Sequence, residues 1–123
     1  MILADSSVWI DHLRTSNAVL EQLLAAEEVL MHPFVLGEIA CGTLRNRNRV
    51  LTSLGRLPAA VAARDTEVFD LIEERQLWGK GVGWVDAHLL ASALIGKCRL
   101  WSLDRPLQEA ARQAGVAYIP LVM

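Results

Sequence analysis

A chain of 123 residues with 53% hydrophobic and 21% charged side chains can bury a substantial core, and is too apolar to be a disordered segment. Its net charge of −2 speaks against an indiscriminate nucleic-acid binder, which draws its affinity from a large positive excess. No apolar run reaches the roughly 18 residues a membrane-spanning helix needs, and Asp5 interrupts an N-terminus without a basic segment, so neither a span nor a signal peptide is expected.

The charge is unevenly distributed. Residues 1–44 carry one arginine against six acids, whereas 45–56 carry Arg45, Arg47, Arg49 and Arg56 and no acid. Cys41 and Cys98 each lie in an apolar run with no metal-ligand spacing; two buried free thiols and a cytoplasmic location are expected. Four tryptophans add to an apolar excess that implies surface left over for a partner or a second copy.

In chain order, Met1–Ala4 reads as a short buried strand stopped by Asp5. Ser6 and Ser7 are placed to cap a short helix around Val8–Leu13, on which Asp11 is expected to be solvated or locally paired. Asn17 caps a second helix with Leu20, Leu23 and Leu24 at helical spacing, and Val29–Met31 is a brief strand. Pro33 opens the helix that carries Glu38. Arg45–Leu57 forms a basic helix or helical turn ended by Leu57-Pro58. A helix follows from Asp65 to about Leu77, with Val68, Leu71 and Ile72 inward. Gly79–Gly83 is a flexible loop; it follows no strand, which separates it from a phosphate-binding loop. It leads into the helix of Asp86. Arg99–Leu103 is a strand, Pro106–Ala114 a helix and Val116–Ile119 a last strand. Neither repeats nor linkers interrupt the pattern, so one domain over 1–123 is expected. Strands alternating with helices imply an α/β fold with a parallel sheet covered on both faces.

Four acids stand where an acid is out of place. Asp5 ends a strand, Glu38 interrupts the apolar Phe34–Cys41, Asp86 opens the apolar Val85–Ile95, and Asp104 ends Leu100–Leu103. An ionised carboxylate among apolar neighbours is costly unless a positive charge meets it, and only Asp104 has a cation beside it, Arg105. In open parallel sheets ligands bind beyond the carboxyl ends of the strands, where Asp5 and Asp104 fall. Asp86 shares a helical face with Leu89, Leu90 and Ala93, and Glu38 with Phe34, Val35 and Cys41, so both are expected to look inward. Carboxylates that converge without basic partners suit a hard divalent cation such as magnesium or manganese, and phosphodiester hydrolysis is the chemistry that follows. Each acid also has a plain structural alternative. Asp5 is a possible N-cap, Glu38 a salt-bridge partner for the basic segment, Asp86 a complement to its helix dipole, and Asp104 a partner for Arg105 or a cap for the Pro106 helix. His12, His32 and His88 lack ligand spacing and read as core or surface residues. The tryptophans read mostly as core or interface, and the alternating arginines as a solvated face, a phosphate contact or a protein-binding surface.

The segments Asp5-Ser6-Ser7-Val8-Trp9-Ile10-Asp11, Gly37-Glu38-Ile39, Trp84-Val85-Asp86-Ala87-His88-Leu89-Leu90-Ala91 and Leu100-Trp101-Ser102-Leu103-Asp104 resemble, in order and spacing, the four signature blocks of PIN-domain proteins. They are most similar to the VapC-type ribonuclease toxins of prokaryotic toxin–antitoxin pairs. The resemblance implies a three-layer α/β/α fold and metal-dependent endonucleolytic cleavage of RNA with Mg2+ or Mn2+. It also implies inhibition by a cognate antitoxin protein, and commonly a homodimer. By motif match Asp5, Glu38, Asp86 and Asp104 form the acidic metal and catalytic site, with Ser6 and Ser102 as neighbouring hydroxyls that orient a carboxylate or a metal-bound water. Pro106 stands where some relatives carry a further acid, which leaves a second metal position open. Two other readings compete: a non-catalytic PIN-like interaction module, and a receiver-like phosphoacceptor. The latter would want an acidic pair after the first strand and a late lysine; here Ser6-Ser7 follow Asp5, and no lysine lies beyond Lys97.

Overall fold

The structure, a computed structural model, describes residues 1–121; the last two residues of the expected domain lie outside that range. Three strands, β1 (Ile2–Ala4), β2 (Val29–Leu30) and β3 (Arg99–Trp101), form a parallel sheet in the order β2-β1-β3. Ile2 is in register with both Val29 and Arg99, and Ala4 with Trp101. All three residues of β1 are buried, so both faces of this central strand are covered, as a parallel sheet requires. No helix among the described residues is long and apolar enough to cross a membrane.

Single parallel bridges extend the sheet on both sides, Met31 to Ala59 and Leu100 to Ala117. The expected last strand over Val116–Ile119 is reduced to the second of these. Leu100 N–H donates to Val116 C=O at 2.7 Å and Tyr118 N–H to Leu100 C=O at 2.9 Å, after which β3 offers no further backbone. β3 itself stops at Trp101, two residues short of expectation, because Ser102–Asp104 turn outward to start the next helix.

Among the described residues seven helices pack around the sheet: α1 (Ser6–Thr15), α2 (Ala18–Ala25), α3 (Pro33–Ala40), α4 (Arg47–Gly55), α5 (Asp65–Arg75), α6 (Trp84–Gly96) and α7 (Arg105–Gln113). α1 begins at Ser6, earlier than expected, because the carboxylate of Asp5 is its cap. Asn17 caps α2, accepting from Leu20 N–H at 3.0 Å. α3 is capped by an imidazole: His32 Nδ1 accepts from Phe34 N–H at 3.0 Å, and Pro33 takes the first helical position, where no N–H is needed. α4 starts at Arg47 rather than Arg45, behind Asn46 in a left-handed conformation at φ 53°.

α6 is the most deeply buried helix, with every residue from Ala87 to Ala93 inside. It presents Leu89 and Leu90 to a core that also holds Leu3, Val8, Val35, Leu100 and Leu107. Truncating one such leucine to alanine would cost about 2–5 kcal/mol. Trp9 and Trp101 lie in this core, whereas Trp78 and Trp84 are exposed. Cys98 is buried but Cys41 is exposed, against expectation, because α3 ends at Ala40 and the chain turns outward there. His88, buried on α6, pairs its Nε2 with Asp65 Oδ1 at 3.1 Å and stacks edge-on against Phe34 and Trp84, tying α6 to α5 and α3.

Candidate active site

Four separate segments bring the four acids to one edge of the sheet. Asp5 and Asp104 follow the ends of the adjacent strands β1 and β3, and each also caps the helix that starts there. Asp86 lies in the first turn of α6, and Glu38 near the end of α3. The capping alternatives for Asp5 and Asp104 are therefore true, and they do not compete with a site. A parallel strand that turns into a helix must have its cap at the carboxyl edge of the sheet, where ligands bind.

Asp5 is the fixed point of the cluster. Only 5% of its surface is exposed. Its Oδ1 accepts from Ser7 N–H at 3.0 Å, Val8 N–H at 3.4 Å and the Ser7 hydroxyl. Oδ2 accepts from the Ser102 hydroxyl at 2.6 Å. With about two lone-pair positions per carboxylate oxygen, Oδ1 is saturated and Oδ2 keeps capacity for one further partner.

The two serines join the strands as well as the carboxylate. Ser102 Oγ also accepts from Asp104 N–H at 2.9 Å, and Ser7 Oγ accepts from Leu103 N–H at 2.9 Å. Gln108 Nε2 donates to Ser102 C=O at 2.7 Å from α7. Each donor in this network has one acceptor in place, which defines the rotamers of both hydroxyls. Ser102 thus sits where the motif match puts it. Ser7 has a role that the sequence hides, since Ser6-Ser7 reads simply as a pair of caps. Ser6 faces Glu38, and its hydroxyl partly offsets the rise in that residue's pKa.

The other three acids are less confined. Asp86 is half-buried; its Oδ2 accepts from Gly83 N–H at 3.2 Å, closing the first turn of α6 back on its own cap. Asp104 Oδ2 accepts from Leu107 N–H at 3.3 Å. Glu38 is exposed, as are Phe34 on α3 and Cys41 just beyond it, so of the expected inward apolar face only Val35 is buried. Val35 and Ile39 supply the buried side of α3, and Glu38 stands one residue round from it, at the rim of the site.

Electrostatics show that the acids sense one another. Partial burial pushes the pKa of Glu38 up, and the charges of Asp86 and Asp5 add to the rise. Partial burial likewise raises Asp86, reinforced by Asp104 and Asp5 and opposed by the Gly83 N–H. No lysine or arginine among the described residues forms an ion pair with any of the four, which removes the salt-bridge alternatives for Glu38 and Asp104. Four mutually repelling carboxylates without a basic partner are a donor set suited to a hard divalent cation. As the side chains lie, no three acids, histidines or cysteines among the described residues are arranged to grip an ion in common. Like charges keep apart, and an ion would have to draw Glu38, Asp86 and Asp104 towards the anchored Asp5.

Asp11 is locally paired as expected, accepting from Asn17 Nδ2 at 3.1 Å. His12 donates nothing to the site; its Nδ1 accepts from Asn17 N–H at 3.0 Å. His32 and His88 are core residues, again as expected.

Residues 2–113 match the PIN domain family. Ribonuclease VapC32 of Mycobacterium tuberculosis, in strains CDC 1551 / Oshkosh and ATCC 25618 / H37Rv, is 46% identical over 118 residues, covering 95% of this chain and 95% of the relative. With a short parallel sheet and its four acid-bearing segments in the expected order, the chain belongs to the PIN-domain family, as a protein of the VapC type.

Proposed function

We propose that this protein is a metal-dependent endoribonuclease toxin that hydrolyses RNA phosphodiester bonds and is inhibited by a cognate antitoxin. The single observation that carries the reading is the meeting of Asp5, Glu38, Asp86 and Asp104 at one sheet edge, where Asp86 senses Asp5 and Asp104 and Glu38 senses Asp86 and Asp5, with no lysine or arginine among the described residues paired to any of them. The likeness to a protein named a ribonuclease supports RNA as the substrate. A cytoplasmic homodimer, with Mg2+ or Mn2+ as the cofactor, completes the proposal.

In this reading Asp5, Glu38, Asp86 and Asp104 would hold the ion, and Asp5 keeps unused acceptor capacity on Oδ2. What the ion supplies when bound is acidity for a water and charge neutralisation on phosphate oxygens. Ser7 and Ser102 keep Asp5 from rotating, so one ligand is preorganised while three adjust. The raised pKa values of Glu38 and Asp86 mean that binding an ion to the cluster should release protons.

The test pairs inducible expression of the wild type with Asp5→Asn, and maps RNA 5′ ends after induction. Growth arrest and new discrete ends with the wild type alone are expected. Asn is as good an N-cap as Asp, so the variant should fold, and its solubility and helix content check this. Equal arrest by Asp5→Asn would sink the reading. A folded wild type that produces no new ends and binds no metal in calorimetry would favour a non-catalytic interaction module.

A further inference from the structure

A groove of about 600 Å³ opens beside Glu38, between α1 and the turn that joins α3 to α4. Its volume lies well inside the roughly 300–1,000 Å³ of ligand pockets. Ile10, Leu13 and Leu44 give it an apolar floor, and Arg14 and Arg45 stand at its rim. Both arginines are exposed, and neither forms an ion pair among the described residues. Arg14 is the only lysine or arginine in the first 44 residues, and Arg45 opens the arginine-rich, acid-free stretch to residue 56, so two ends of an uneven charge pattern meet at one opening.

We propose that this groove is a nucleotide subsite for single-stranded RNA, taking the base next to the scissile phosphate on its apolar floor and that nucleotide's phosphate on Arg14 and Arg45. The proposal rests on the nuclease reading above and adds the place where substrate is gripped. Two observations favour RNA over a peptide, and one argument from charge supports them. Glu38 belongs both to the groove and to the acid cluster, so a strand whose phosphate lies at the acids has its neighbouring nucleotide beside Glu38. Unpaired guanidiniums flanking an apolar floor match a ligand with a flat face and a charged backbone in alternation. Base contacts of this kind tolerate any sequence, and the acids themselves repel a phosphate backbone in the absence of metal, so binding strength must come from outside the cluster.

The experiment measures anisotropy of a short, fluorescein-labelled single-stranded RNA of mixed sequence, in EDTA so that nothing is cut. Affinity is followed as a function of salt for the wild type, Arg14→Ala, Arg45→Ala, Arg45→Lys, Leu44→Ala and Arg75→Ala, the last an exposed arginine at the end of α5 as control. Arg14 and Arg75 lie in the last turns of α1 and α5, where losing the cation costs about 0.3–1 kcal/mol, so thermal melts verify that each variant is folded at the assay temperature. Arg14→Ala and Arg45→Ala are expected to weaken binding at least threefold and to reduce the slope of log K against log salt by about 0.7, the value for one phosphate contact on a single strand. Arg45→Lys restores the slope, Leu44→Ala weakens binding with the slope unchanged, and Arg75→Ala matches the wild type. Cleavage of the same RNA in magnesium by the wild type is scored separately. If the wild type cuts RNA while both Arg→Ala variants keep its affinity and slope, the subsite is overturned, the nuclease reading stands and the groove is left as a peptide-docking surface. If the wild type neither binds nor cuts RNA, the nuclease reading fails and takes the subsite with it.

Discussion

Ser102 Oγ donates to Asp5 Oδ2 at 2.6 Å across 97 residues of sequence and accepts the Asp104 N–H on its other side. One hydroxyl thus locks the anchored acid of the cluster to the turn that carries another. Ser102 is itself buried, so water cannot readily replace its proton. Ser102→Ala is expected to destabilise the fold by about 1–3 kcal/mol, since a buried charged acceptor loses its donor. Urea denaturation measures this. Cleavage at saturating metal should fall more than stability explains, because Asp5 Oδ2 is the oxygen with capacity left for a ligand.

Ser7 and Ser102 hold opposite oxygens of the same carboxylate, so their effects should not add. In a double-mutant cycle of Ser7→Ala and Ser102→Ala, once one hydroxyl is gone the carboxylate can rotate and the second loss matters less. The double variant is expected to lose less than the sum of the singles, by about 0.5 kcal/mol or more. Strict additivity would mean that Asp5 is held by its helix cap alone and that the serines act only on the backbone they touch.

The raised pKa values of Glu38 and Asp86 set a pH dependence of stability. Their ordinary values are 4.5 and 3.8, and folding moves both upward. A carboxyl whose folded-state pKa is raised binds protons more readily folded than unfolded. Its favourable contribution is complete below the unfolded value and is lost as pH rises through the folded one. In EDTA, stability attributable to the cluster should therefore fall as pH rises from about 4 into the neutral range. His32, whose pKa burial lowers, acts in the opposite direction at the acid end of that range, so the measurement is the difference between wild type and Glu38→Gln. That difference is expected to narrow towards low pH and widen towards neutrality, with Glu38→Gln the more stable protein at pH 7. Added magnesium should reverse the order, since metal binding requires the ionised form.

The parts of the site that a sequence can display are those fixed by chain-local rules. Asp5 and Asp104 are legible because a parallel sheet puts strand ends and helix caps at the same edge, and Asp86 because it opens an apolar helix. Glu38 was legible as a misplaced acid, but the apolar face inferred for it was wrong. Phe34 and Cys41 are exposed; of the expected face only Val35 is buried, and Ile39 completes the buried side of α3. Ser7 resembles an ordinary cap until β3 arrives beside β1 and gives its hydroxyl a second partner in Leu103. His32 looked like a core residue, and it is one, yet its Nδ1 also caps the helix that carries Glu38. The strand expected at Val116–Ile119 shrank to one bridge because an edge strand's length depends on how much of its neighbour remains unpaired, which composition does not encode. In each case the missing information was a tertiary contact.

Gly81 illustrates such a contact and yields the last prediction. It lies at φ +78°, in the left-handed region, and a Cβ there would come within 3.1 Å of the Pro106 ring. Side chains are strained in that conformation, and here the space is taken as well. The loop it belongs to leads to Gly83, whose N–H holds Asp86, while Pro106 stands in the first turn of α7, whose cap is Asp104. A side chain at Gly81 would therefore press on Pro106 and push two arms of the acid cluster apart. Gly81→Ala is expected to cost at least about 1 kcal/mol of stability from the backbone strain alone. It should also lower cleavage by more than an exposed helix substitution of similar thermal cost, such as Glu73→Gly in α5, read at a temperature where both variants remain folded. Pro106→Ala in the Gly81→Ala background removes the Cγ that would crowd the new Cβ at 3.1 Å, keeps the Cβ at 3.3 Å, and should recover part of the activity while leaving the φ strain in place. A Gly81→Ala protein with normal cleavage and normal magnesium affinity would show that loop and helix adjust independently, and that the site's width is held from elsewhere.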